Sequence, residues 1–423
     1  MKPGVGYRCQ RCGTPYPLDL PIDSRGCPAC AATLPANLRV AYPDSFPGPA
    51  LFSAAAGLPS LWRYGAWLPF EPAEAVSLGE GLTPIIAAEK MAARLGVGRL
   101  LLKDESRNPT GSHKDRFSTL AVTAARACGA HVVASASSGN AGASLAAYAG
   151  RAGLACVVAT FAGASGPMLG QIRKLGARVV PFARKADRWR FLAQGAQEQG
   201  WFVTSPFRAP VVGSHPLGLE GYKTLAWEVV EQLHGEIPDW CVLPVCYGDA
   251  LAGLWWGFQS LYDRGRIDRL PRLVAAEAHG SLAKALAKGS ALPPEVEVSC
   301  ESLAVSIGAT RSSFQALQAL RASRGLAVPV GNAELIALQE ELAAREGAFV
   351  ELASVTPLAA IAELSRDGVI RKCDSVVAIL TAGGLKDLDR SSGALAPLPT
   401  FASPEEAWAG IRHGQAGPIA ARA

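Results

Sequence analysis

From Gly98 onward, short β-branched runs alternate with helix-like segments, and this alternation constrains the fold more than any other feature of the chain. The runs are Arg99 to Lys103, His131 to Ser135, Ala155 to Thr160, Arg178 to Phe182, Cys241 to Val245, Leu273 to Glu277 and Ser375 to Leu380. A helix between two strands is long enough to carry the chain back across a sheet, so the alternation predicts parallel sheets covered by helices, an α/β fold. Apolar residues make up 49% of the 423, enough for large cores. The stretch from Pro35 to Leu78 is too apolar for a floppy linker and too broken for long helices, so residues 37–97 are expected to form an arm packing on the core. Residues 98–390 then make the main α/β region. Residues 391–423 form a polar tail with one helix starting near Ser403, where Glu406 completes a capping box.

Four of the ten cysteines stand apart. Cys9 with Cys12, and Cys27 with Cys30, form two Cys-x-x-Cys knuckles whose separation suits a small zinc ribbon over residues 1–36. Four thiolates close a tetrahedral shell and leave no position for water, so such a metal supports structure and performs no chemistry. Met1 to Tyr7 carries no apolar leader, and the reading is a reducing, cytoplasmic compartment with free or metal-bound thiols. Trp240 to Phe258, the longest apolar stretch, is broken by Pro244 and Asp249 and fits strand, loop and helix better than a membrane span. Lysines and arginines exceed acids only by 41 to 36, without basic blocks, which argues against nucleic acid or anionic membranes as partners.

Three segments carry chemistry. Asn108 to Arg116 follows a strand and opens a helix with Lys114 near its start, where the free amides disfavour an ammonium. Ser137, Ser138, Gly139 and Asn140 end a strand and begin the next helix, bringing together hydroxyls, an amide and free backbone donors suited to an anion. Thr381, Ala382, Gly383 and Gly384 follow the strand Ser375 to Leu380. Each alone reads equally as a solvated lysine, a helix cap or a glycine turn.

Together and in this order, with the cysteine ribbon, Leu61 to Pro69 and Leu78 to Pro84, they resemble the threonine synthase family and, more loosely, the fold-type-II pyridoxal-phosphate enzymes. The resemblance implies two doubly wound open-sheet subdomains, interleaved within residues 98–390 and preceded by the ribbon. It implies that Lys114 holds pyridoxal 5'-phosphate as an imine and serves as the catalytic base. Asn140 would bond the phenolic oxygen of the cofactor, Thr381 would face its pyridine nitrogen, and Ser137, Ser138 and Gly139 would grip the substrate carboxylate. The backbone of Gly248, Asp249, Ala250 and Leu251 would take the cofactor phosphate, with Asp249 turned outward or capping its helix. A homodimer is the usual assembly of such enzymes.

Two departures bear on the substrate. Where the family carries an asparagine and an arginine for the phosphate of phosphohomoserine, this chain has His215 and Gly218. His113 stands where phenylalanine is common, and both histidines are candidates for substrate contact. The expected reaction is therefore β- or γ-elimination or replacement on an L-amino acid, with phosphohomoserine in doubt. The alternatives are a serine or threonine dehydratase or diaminopropionate ammonia-lyase, and, in another class, a zinc-ribbon binding or regulatory protein without catalysis.

Overall fold

The computed structural model describes residues 1–18, 24–43, 46, 58–298, 300–391 and 398–413. Contacts divide the chain into two compact units, Met1–Asp387 and Leu388–Ala423. Three sheets organise the larger unit. The first is small and antiparallel: β1 (Gly6–Cys9) lies between β2 (Pro15–Tyr16) and β3 (Leu38–Ala41). At its edge the Sγ atoms of Cys9, Cys12, Cys27 and Cys30 all lie within 4.8 Å of one another.

The second sheet has six strands: β4 (Ile85–Ala87), β5 (Arg99–Asp104), β10 (Trp240–Val245), β11 (Arg272–Glu277), β12 (Leu326–Pro329) and β13 (Ser375–Leu380). Their order is β12-β11-β10-β13-β5-β4. All pairs are parallel except the edge pair of β4 with β5. The third sheet is wholly parallel, with β6 (Val132–Ala136), β7 (Ala155–Phe161), β8 (Arg178–Phe182) and β9 (Phe202–Val203) in the order β8-β7-β6-β9. The seven apolar runs all appear as strands, within a residue of their expected ends. The short strands β4, β9 and β12 had no comparable signal, because two to four residues give too little periodicity to read.

β10 and β13 are fully buried along their length, as strands covered on both faces must be. The 3-10 helix Leu61–Trp67 buries Trp62, Tyr64 and Trp67, and the last two rings meet Trp227 edge-on at 5.7 Å each. Beneath them lies a buried ionic network. The Arg116 guanidinium pairs with Glu105 and Glu228 at 2.6 Å each, and Lys103 pairs with Glu228 at 2.7 Å, all four side chains being inaccessible to solvent. Burial opposes the charge on Glu228, yet Arg116 and Lys103 hold its carboxyl well below the usual range. In the smaller unit, Ser403 accepts the Glu406 amide at the start of the helix Pro404–Arg412, while Glu406 reaches back to the amide of Ala402.

Candidate active site

The loops leaving the C-terminal ends of β5, β10 and β13, which are neighbours in the six-stranded sheet, meet the loop leaving β6, in the place where open α/β sheets bind ligands. Backbone bonds pin them together. The His113 amide donates to the Thr381 carbonyl at 2.8 Å, Gly383 to Gly111 at 3.1 Å, and Glu351 to Ala382 at 3.0 Å. Lys114 is the first residue of the helix Lys114–Ala127, whose opening turn is held by Asp115, which accepts both the amide and the hydroxyl of Thr110 at 2.6 Å.

Among the described residues the Lys114 amine has one side-chain hydrogen bond, to the Tyr222 hydroxyl at 3.4 Å. Burial lowers its pKa, and the nearby Asp249, Cys246 and Glu351 only partly offset this. A larger share of the amine is therefore neutral and nucleophilic than on a surface lysine. The His113 ring lies 5.6 Å from that of Tyr222, and its Nδ1 is 3.2 Å from the Thr381 carbonyl. Burial and then the Lys114 charge depress the His113 pKa well below its ordinary value, so this imidazole is neutral.

Asn140 starts the helix Asn140–Ala152, is buried, and donates through Nδ2 to Glu351 at 3.0 Å; its Oδ1 is buried without a partner among the described residues. Ser137 accepts the amides of Gly139 and Gly142 at 3.2 and 2.9 Å, which shapes the turn of Ser137, Ser138 and Gly139 ahead of the helix. The Thr381 hydroxyl lies 2.9 Å from that of Ser354.

Asp249 takes neither expected posture. It opens the helix Asp249–Tyr262, but its carboxylate is buried and accepts the amide and hydroxyl of Ser214, at 3.1 and 2.7 Å, and Nε2 of Gln315 at 3.3 Å. Three donors compensate the burial, which still raises its pKa. The side chain is thus drawn aside from the amides of Gly248 to Leu251. Gly213 makes this possible: it has φ +112°, and a Cβ there would lie 2.1 Å from the Gln315 amide. His215 is seated away from the amine, with Nδ1 accepting the Leu217 amide at 3.3 Å as a helix cap and its ring 4.3 Å from that of Phe202. Beside Lys114 is a partly open cavity of about 40 Å³, lined by Phe117, Ser118, Ser135, Ala141, Thr204, Ser205, Ser214 and Tyr222.

A family model for the pyridoxal-phosphate dependent enzymes matches residues 76–382. The chain belongs to that family. The threonine synthase of Methanocaldococcus jannaschii is 35% identical over 336 residues, 78% of this chain and 81% of its own. That of Methanosarcina acetivorans is 34% identical over 388 residues, 90% of this chain and 92% of its own. The solved structure of a fungal L-serine ammonia-lyase from Rhizomucor miehei shares the fold, with a TM-score of 0.63 at 19% identity over 74% of this chain and 97% of that one. The chain is thus a threonine synthase-like, pyridoxal-phosphate-dependent lyase or synthase of fold type II, and the non-catalytic reading falls.

The residues fit the cofactor this family uses. A buried amine free of carboxylate bonds, the unpartnered Oδ1 of Asn140, the Thr381 hydroxyl and the amides that open the Asp249–Tyr262 helix converge at one set of strand ends. Three participants escape sequence reading: Tyr222, Glu351 and Phe117. Tyr222 and Phe117 sit inside apolar helices and look like core residues, while Glu351 looks like an ordinary acid ahead of a helix.

Proposed function

We propose that the protein catalyses elimination or replacement at Cβ or Cγ of an L-amino acid, with Lys114 as the residue that carries the cofactor and moves the Cα proton. The observation that carries this reading is the Lys114 amine itself: buried, reduced in basicity, and among the described residues bonded only to a neutral phenol. Pyridoxal phosphate would supply an electron sink for the charge left at Cα. Nζ of Lys114 takes that proton and returns it. The turn of Ser137, Ser138 and Gly139, with the free amides behind it, orients the substrate carboxylate. Asn140 contacts the cofactor ring with its side-chain amide, and Thr381 offers a hydroxyl, a neutral partner that leaves electron withdrawal moderate and so favours elimination over transamination. The amides of Gly248, Asp249, Ala250 and Leu251 take the cofactor phosphate. His113, neutral and packed on Tyr222, forms a wall of the substrate site, and His215 holds the nearby loop.

The Cys9, Cys12, Cys27 and Cys30 cluster holds a structural zinc ion. Its Sγ separations of 3.8 Å (Cys9 to Cys30) and 3.7 Å (Cys12 to Cys27) agree with the roughly 3.8 Å that a tetrahedron with Zn–S bonds of about 2.3 Å implies. The enzyme acts as a homodimer. Serine or threonine dehydratase activity is the second reading, favoured by a cavity that carries hydroxyls and no guanidinium.

The test is optical. Purified protein given pyridoxal phosphate should gain a visible absorption band that borohydride removes, and Lys114→Ala should lack it. A folded wild-type protein that stays colourless would overturn the reading. Release of 2-oxo acid from serine or threonine favours a dehydratase, and release of phosphate from phosphohomoserine favours a synthase.

A further inference from the structure

Asp115, next to Lys114 in the helix Lys114–Ala127, is wholly buried, so a proton can reach or leave its carboxyl only through the groups bonded to it. Those groups are the amide and hydroxyl of Thr110 and the hydroxyl of Ser144, each at 2.6 Å. Among the described residues only Ser144 leads on to a further hydroxyl, that of Ser118 at 2.7 Å, and both serines are buried too. Ser118 stands four residues after Lys114, on the same face of the helix, and lines the cavity beside the amine. Three bonded side chains thus join a hidden carboxyl to the cavity.

The chain can run either way on the same heavy atoms, because each serine hydroxyl has one proton and can both donate and accept. With Asp115 ionised, Ser144 donates to the carboxylate and Ser118 donates to Ser144. With Asp115 protonated, the carboxyl donates to Ser144, Ser144 donates to Ser118, and the Ser118 proton is left to face the cavity. Passing from one pattern to the other moves one proton across the wall. Burial raises the Asp115 pKa to about 6, against the pull of Ser144 and Thr110, so both forms are accessible near neutral pH. The charged and titratable groups around Asp115 are Lys386 on the loop after β13, Tyr148 on the helix Asn140–Ala152, Tyr222 on the helix Pro216–Gln232, and its chain neighbours Lys114 and Arg116.

Packing keeps these atoms at bonding distance. The helix Pro216–Gln232 rests on the Asp115 helix by backbone contact: a Cβ at Gly221 would lie 1.7 Å from the Arg116 carbonyl oxygen. A Cβ at Gly218 would lie 2.3 Å from the Phe117 ring, which closes the same seam one turn earlier.

We infer that Asp115, Ser144 and Ser118 form a proton relay that supplies the oxygen departing from Cβ of the substrate. The electron pair left at Cα forms the Cα=Cβ bond as the Cβ–O bond breaks, and the departing oxygen takes the Ser118 proton. Ser118 takes the proton of Ser144, and Ser144 takes that of the Asp115 carboxyl. After product leaves, water in the partly open cavity returns a proton to the carboxylate along the same bonds in reverse. Ser118 is the catalytic residue of the three; Ser144 and Asp115 act through it. This rests on the pyridoxal-phosphate reading above and adds the source of one proton to it.

The experiment gives cofactor-loaded protein L-serine, whose hydroxide needs a proton to leave, and β-chloro-L-alanine, whose chloride does not. Both yield pyruvate, and the ratio of their initial kcat/KM values cancels effects on the cofactor or on removal of the Cα proton. In Ser118→Ala and in Ser144→Ala the ratio of serine to chloroalanine should fall by about 100-fold, the scale of general acid catalysis. Ser144→Thr restores a hydroxyl and should recover most of the loss. In wild type the same ratio should fall as pH rises above about 6, where Asp115 loses the proton it gives. Infrared spectra of the cofactor-free protein give a second readout. A protonated-carboxyl band should fade as pH rises through about 6 and be missing in Asp115→Asn, and its midpoint should move up in Ser144→Ala, which lacks a bond that favours the carboxylate.

A ratio unchanged in Ser118→Ala or Ser144→Ala overturns the proposal, as does coloured protein silent towards L-serine, or a carboxyl band that Asp115→Asn leaves intact. Protein that never takes up the cofactor overturns instead the reading beneath it, and the visible band tells the two failures apart.

Discussion

Nδ2 of Asn140 donates to the carboxyl of Glu351 at 3.0 Å, joining the helix that follows β6 to the loop that precedes the helix Leu352–Arg366. Ser306 donates to the same Glu351 oxygen at 3.2 Å. The bond fixes the Asn140 amide and leaves its Oδ1 unpartnered in the site. The orientation of the residue proposed to face the cofactor thus depends on an acid outside the three sequence motifs.

Glu351 should make stability pH-dependent. Burial first, and then Asp387, raise its pKa from 4.5 to about 7, although Asn140, Lys386 and Ser306 pull the other way. An acid with a raised native pKa keeps its proton in the fold after the unfolded chain has lost it. Its stability contribution is therefore complete below about pH 4.5 and declines as pH rises to about 7, by up to about 3 kcal/mol. Glu351→Gln should flatten this part of the profile of thermal midpoint against pH. An unchanged slope between pH 4.5 and 7 would assign the dependence to Asp115, which burial raises to about 6.

Tyr222→Phe removes the side-chain hydrogen bond between the Tyr222 hydroxyl and the Lys114 amine and keeps the ring that packs on His113 and Phe117. The expected loss is about tenfold in kcat, the value of a single bond of about 1 to 1.5 kcal/mol, with KM changed less. Circular dichroism should match wild type. Full activity in the variant would show that the contact has no part in turnover.

Arg116→Ala leaves the buried Glu105 without a cationic partner and Glu228 with Lys103 alone. Breaking such a network by removing one partner costs about 3 to 5 kcal/mol. Thermal or urea unfolding should register the loss directly, and a change below about 1 kcal/mol would mean that the pocket takes up water and solvates the acids.

Cys27→Ser should remove the zinc and loosen the ribbon. Metal analysis should fall from roughly one equivalent per chain, and limited proteolysis should cut first within the first 36 residues. Because Asn37 donates to the Ser214 carbonyl at 2.8 Å and Ser214 holds Asp249, cofactor affinity should weaken as well. Cofactor affinity unchanged after metal loss would show that this chain of contacts transmits nothing.

Part of the site is legible as pattern. Lys114, Asn140 and Thr381 each follow a readable strand at a helix start or glycine turn, and their signals are local in sequence. Asp249 shows the limit: its type and position at a helix start are visible, but its direction depends on Ser214 and Gln315, 35 and 66 residues away. His215, next to Ser214 in sequence, proves to be a helix cap whose ring packs at a tilt against Phe202.

By itself the sequence determined the seven longer strands of the parallel sheets, the helices between them and the cysteine cluster, because these rest on periodicity and short-range spacing, whereas Lys114 stood out only through the family resemblance of three segments in order. Only the tertiary structure decided what surrounds that lysine. Phe117 against Gly218, Tyr222 at the amine and Glu351 behind Asn140 are meetings of residues about a hundred or more positions apart, created by helices packing to backbone contact, and no local pattern encodes such distances.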